Sequence, residues 1–136
     1  MNRTPWALRD LTSGEVAKGA DTLEARTVLE KALGQEGGDS HPGLPHMYNH
    51  LMEMSPHPEQ ALRASDHLRD LVPDSGQLRH MPTHIDVLCG QYADVVTANS
   101  RAIVSDQKFL EREGPINFYS LYRCHDFDFK LYGPCF

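Results

Sequence analysis

The stretch HPGLPHMYNHLMEMSPHP, residues 41–58, holds four of the eight histidines in the chain. Two of them, His46 and His50, are four residues apart, and the same spacing returns 34 residues later as His80 and His84 in HMPTHID. Neutral imidazole is the commonest side-chain metal ligand, and residues i and i+4 of a helix lie one above the other on one face. At about 100° per residue, His46, His50 and Glu53 fall at about 0°, 40° and −20°, a narrow arc. Met47 and Leu51 lie beside that arc and are expected to bury against a partner helix. The spacing therefore nominates His46, His50, Glu53, His80 and His84 as metal ligands. Such a set suits Zn, Cu, Fe or Mn rather than Ca or Mg, and the sequence leaves the choice open. Two histidines and a glutamate with free positions would serve non-haem iron; four histidines would serve zinc or copper. Pro82, between the second pair, disfavours helical backbone at the residue before it. If the helix starts only at Pro82, His80 lies outside it and the stacking of that pair fails.

The remaining histidines divide by context. His41 precedes Pro42 and reads as a solvated or capping residue, His57 sits in a turn between Pro56 and Pro58, and His67 faces away from the apolar stripe of its helix. His125 lies in NFYSLYRCHDFDFKLYG, where Phe118, Tyr122 and His125 share one face by 4 + 3 spacing. The aromatics there, Phe118, Tyr119, Tyr122, Phe127 and Phe129, read as a wall that excludes solvent. His125 is placed to approach the site, and Tyr122 to donate a phenol hydrogen bond. Catalytic candidates are thus Glu53, Tyr122 and His125. No P-loop, dinucleotide fingerprint, G-x-S-x-G or H-E-x-x-H is present.

Helical periodicity dominates the elements that must position these groups. DTLEARTVLEKALG predicts a helix with Asp21 and Glu24 as a capping box, Gly34 as its stop, and Ala25, Val28, Leu29, Ala32 and Leu33 as its apolar stripe. Further helices are predicted at about residues 43–54, through Ala61, Ser65, Leu68 and Leu71 to Pro73, at 77–89, at 92–113 and at 115–132. TPWALRDL suggests a short first helix capped by Thr4 with Pro5 in first position. Three second helices repeat small or apolar residues at offsets 0, +4 and +7: Ala25/Leu29/Ala32, Ala61/Ser65/Leu68 and Val95/Asn99/Ala102.

GQYADVVTANSRAI, with Gly90, Tyr92, Val95 and Ala102, resembles the Gly-x-Tyr-x-x-Ala turn and second helix of a tetratricopeptide repeat, a family of 34-residue helical hairpins. The resemblance covers roughly residues 20–113. Val95 stands where that family has alanine and Asn99 where it has an aromatic, and the first repeat lacks its Gly-x-Tyr. HPGLPHMYNHLMEMSPHPEQAL and LYRCHDFDFKLYG are similar to a His-rich subgroup of bacterial and fungal tetratricopeptide-domain proteins that are usually much longer, so the chain is expected to be a fragment-sized relative. The resemblance implies one all-α domain over residues 1–136, a superhelix of stacked antiparallel hairpins, about three of them, plus a C-terminal aromatic helix. In such a stack, positions 34 residues apart take equivalent places on neighbouring first helices, whose axes lie roughly 8–10 Å apart. That interval would let the two histidine pairs converge on the inner wall.

Bulk properties narrow the function classes. A formal charge of −6 argues against nucleic acid, which needs a concentrated basic surface. No apolar run approaches a membrane span, the N-terminus lacks a signal-peptide pattern, and Cys89, Cys124 and Cys135 form an odd set without C-x-x-C spacing. A cytoplasmic protein with reduced thiols is expected. Two functions stay open: a metal-binding helical-repeat protein acting as an oxygen- or water-activating enzyme on a small-molecule substrate, or a non-catalytic scaffold that binds a peptide. The predicted 43–54 helix has no Lys or Arg and 77–89 only Arg79, which argues against a carboxylate clamp. An end of the stack without a capping repeat points to a homodimer.

Overall fold

The computed structural model describes residues 8–10 and 12–135. The short helix expected at Thr4 and Pro5 lies outside them. Among the described residues, regular structure is helical, apart from an isolated antiparallel bridge between Arg9 and Val16. This agrees with the all-α expectation.

Helix α1 spans Thr22–Leu33 and stops at Gly34 as expected. Its capping box does not form: Asp21 makes no side-chain cap bond. Instead Thr22 Oγ1 donates to the Leu8 carbonyl at 3.0 Å, tying the start of the helix to the preceding segment. Ala25, Leu29 and Leu33 pack on the core, whereas Val28 is 59% exposed, so the apolar stripe is narrower than its composition suggests. Helix α2, Gly43–Met52, begins where the His41 ring accepts the Gly43 N–H at 3.2 Å, a capping role. Tyr48, Leu51 and Met52 turn its other face into the core.

A 3-10 turn at Pro58–Ala61 leads into α3, Leu62–Leu68. Ala61, Ser65 and Leu68 are fully buried, as are Val95, Asn99 and Ala102 on α6, so the two later stripes do face inward. A polar residue within such a stripe needs a partner: Ser65 Oγ donates to Asn49 Oδ1 of α2 at 3.0 Å.

The helix predicted over 77–89 is two, α4 (Gly76–His80) and α5 (Pro82–Leu88), meeting at Met81. Pro82 has no N–H to donate, so one helical bond is lost. Yet Met81 keeps φ −49° and ψ −40°, a helical backbone, and its side chain is fully buried. Core packing thus overrides the local preference set by proline. His80 ends α4 instead of lying outside the helix, and His84 stays one turn above it.

Helix α6, Tyr92–Glu113, matches the expected boundaries and ends at Gly114, whose φ of 80° only glycine adopts freely. Helix α7, Ser120–Tyr132, starts five residues later than Pro115, the expected start. The intervening turn is held by Asn117 Nδ2 donating to the Gly114 carbonyl and Ser120 Oγ donating to the Pro115 carbonyl, each at 2.7 Å. Among these elements α2 packs on α1, α3 and α5, while α6 packs on α4, α5 and α7, and α4 also meets α7. Arg69 fastens α3 to α5 through two bonds to the buried Asp86, at 2.8 and 2.6 Å. The three cysteines are free, and among the described residues no helix is long and apolar enough to cross a membrane.

Candidate metal centre

The chemistry of the site begins with two ring tautomers. His80 is fully buried, and its Nδ1 lies 2.7 Å from Asn99 Oδ1. The Asn99 amide is not free to turn, because its Nδ2 donates to the Val95 carbonyl at 2.9 Å. An acceptor oxygen therefore faces His80, so Nδ1 carries the proton and Nε2 keeps its lone pair. His84 repeats the logic with another partner. Its Nδ1 is 2.9 Å from Glu53 Oε2, at the end of α2. Burial pushes the Glu53 carboxyl up, but hydrogen bonds from the His50 and His84 rings outweigh it and hold the group down at about 2. A carboxylate accepts only, so His84 Nδ1 donates and its Nε2 also presents a lone pair. These two Nε2 atoms face each other at 3.0 Å. Two acceptors at that distance repel unless a cation or a proton joins them. Burial first, then the neighbouring His84, pushes His80 down to about 3, so a neutral ring is strongly preferred there.

Helix α7 supplies a third ring. His125 sits 4.6 Å from His80 and 5.6 Å from His84, centroid to centroid. One nitrogen from each of the three falls within 4.8 Å of the others. Burial lowers His125 as well, and the rings of all three are edged by Phe129, one turn further along α7, at 4.7–4.8 Å. For comparison, two nitrogens on one zinc ion lie about 2.9 Å apart at right angles and about 3.3 Å apart in a tetrahedron, given bonds of roughly 2.0–2.1 Å. The His80–His84 pair is already at that spacing.

The other nominated residues adjoin this group. Glu53 spans two rings, with Oε1 3.3 Å from His50 Nδ1 and Oε2 on His84. His46 lies beside His50 with centroids 4.9 Å apart, and His50 is 6.1 Å from His84. Tyr122 has ring contacts with Phe118 and Tyr119 at 5.7 and 5.5 Å. Phe118 itself is 75% exposed, so the expected aromatic wall is made chiefly by Phe129. A cleft of about 410 Å³ opens on the His84 side, lined by Glu53, His84, Val87, Asp128, Phe129 and Tyr132 among others.

Two supporting groups were not nominated by spacing. Asn99 looked like a departure from an apolar repeat position; a polar residue inside an otherwise apolar stripe was the available signal. Asp126 follows His125 and is fully buried behind His80, with Oδ1 3.4 Å from His80 Nδ1. Both Asp126 oxygens and Oδ2 of the buried Asp106 lack a donor, while Asp106 Oδ1 accepts from Tyr119 at 2.8 Å. Burial and the neighbouring Asp106 push the Asp126 carboxyl up, which favours a proton held between the two side chains. That shared proton gives one Asp126 oxygen and Asp106 Oδ2 a partner.

Comparison of the chain with protein-family models, with curated proteins and with solved structures finds no match.

Proposed function

We propose that the chain is a metal-binding helical protein in which His80, His84 and His125 hold one transition-metal ion, with a coordination position left open toward the cleft. The observation that carries this reading is the pair of lone pairs facing each other at 3.0 Å, each imposed by a tautomer that another residue fixes. Asn99 and Glu53 act as orienting acceptors, the arrangement that raises the basicity of ligating imidazoles and sets their direction. The three imidazoles are neutral donors that suit Zn, Cu, Fe or Mn. With an open position, an ion of this kind would polarise a substrate oxygen or activate water or dioxygen. The cleft volume is in the range that takes a small molecule, and Phe129 shields one side of the imidazole group from solvent. The stacked-hairpin, tetratricopeptide-like reading of the scaffold belongs to the same proposal. It is supported by the 34-residue recurrence and by α2 packing on α5, which brings Glu53 to His84.

Metal-free protein titrated with Zn²⁺, Cu²⁺, Fe²⁺ and Mn²⁺ in a calorimeter tests it. At least one of the four is expected to bind at a tight site present once per chain, and His84→Ala and His125→Ala are each expected to lower its affinity 100-fold or more. A chain that takes up none of the four, or an affinity indifferent to both substitutions, would leave a scaffold without a metal centre.

A further inference from the structure

His46 and His50 are the two histidines nominated by spacing that the first centre does not use. They share the spacing and ring separation of the pair that it does, though their planes meet at 43° instead of 85°. Both pairs are four apart on a helix, and their ring centroids are 4.9 Å apart in one case and 4.8 Å in the other. In the first pair His84 turns its Nδ1 to Glu53; in the second, His50 turns its Nδ1 to the other oxygen of the same carboxylate. By the same tautomer argument, His50 Nε2 is left as a lone pair, pointing away from Glu53. His50 keeps about a third of its side chain open to solvent, so an ion has a route to it that does not pass through the first centre.

We propose that His46 and His50 bind a second transition-metal ion, and that Glu53 is the shared positioning residue, orienting one imidazole toward each of the two ions. The inference rests on the metal reading of the first centre for the role of Glu53, but its ligands are different residues. With two protein ligands, water completes the second ion's coordination. That makes it the weaker and more exchangeable of the two. The cleft, bordered by Glu53 and His84, lies on the flank where a substrate would meet the first ion beside this carboxylate.

Zinc titration of the whole metal-free chain, followed by calorimetry and repeated with Co²⁺ for its absorption spectrum, distinguishes the two sites. Wild type is expected to bind two ions in a tight and a weaker step. His46→Ala/His50→Ala should abolish the weaker step and leave the tight one within about threefold. His46→Gln/His50→Gln serves the same purpose should the alanine pair fail to fold by circular dichroism. Glu53→Ala should weaken both steps by about tenfold or more, the usual cost of losing a partner that orients a ligand. A chance pair of surface histidines would not respond to Glu53. One ion per wild-type chain, a weak step that survives loss of His46 and His50, or a weak step indifferent to Glu53→Ala each overturns the second site. Should the tight step be missing while a step dependent on His46 and His50 persists, the first centre fails and this one stands.

Discussion

Asp126 carries the largest electrostatic consequence of any single residue outside the imidazole group. Its folded-state carboxyl is raised from 3.8 to about 8 by burial and by Asp106, so the folded chain prefers the protonated form. The stability that this group contributes is fully present below about pH 4 and is lost as pH rises through about 8. Asp126→Asn keeps a donor for Asp106 without the titration. Urea denaturation of metal-free protein should therefore show the variant gaining on wild type between pH 5 and 8.5, by up to a few kcal/mol; a difference that stays flat across this window would contradict the shared proton. Glu53 behaves in the opposite sense. Held down at about 2 despite its burial, it is a full carboxylate throughout the neutral range, which is why two imidazoles can donate to it at once.

Helix α4 has only five residues, so its position depends on its neighbours rather than on its own hydrogen bonds. Gly76 lies directly against α6. A methyl group there would run into the buried Asp106 carboxylate and come within 2.9 Å of the Ala102 carbonyl. Gly76→Ala is expected to cost about 1–3 kcal/mol, the usual range for overpacking, and to weaken zinc binding because α4 carries His80. Wild-type stability in a denaturant series would show that α4 can retreat without consequence. The Arg69–Asp86 pair fixes α3 to α5 in the same indirect way. Arg69→Met leaves a fully buried carboxylate without its partner, and about 3–5 kcal/mol of stability should be lost.

For the whole molecule, uptake of an ion at the proposed centre would be linked to stability. The three imidazoles of the first centre come from α4, α5 and α7, so an ion held there fastens the C-terminal helix to the middle of the chain. Zinc at about 100 times its dissociation constant should add about 2.7 kcal/mol, equivalent to roughly 10 °C in Tm for a chain of this size. In His125→Ala, a thermal melt at the same zinc concentration should gain much less, since the bridge to α7 is cut. An equal gain in both would mean that zinc acts elsewhere on the chain.

How much of this was legible in the sequence follows from the range of the interactions involved. Periodicity and glycine and proline punctuation determined that the chain is helical, where α6 lies, and that His46 and His50 stack as a pair on their helix. Each of these depends on residues within a turn or two of one another. The sequence also placed His125 on a helix face from which it could approach the site. Only tertiary structure decided that Glu53 orients His84 rather than standing beside it as an equal, that Asn99 fixes His80, and that Met81 stays helical before Pro82. Those outcomes depend on hydrogen bonds and packing between residues 18 or more positions apart, or on a buried side chain outweighing a backbone preference. Spacing along one helix says which groups share a face; the direction in which each nitrogen points is set by whatever the neighbouring helix places against it.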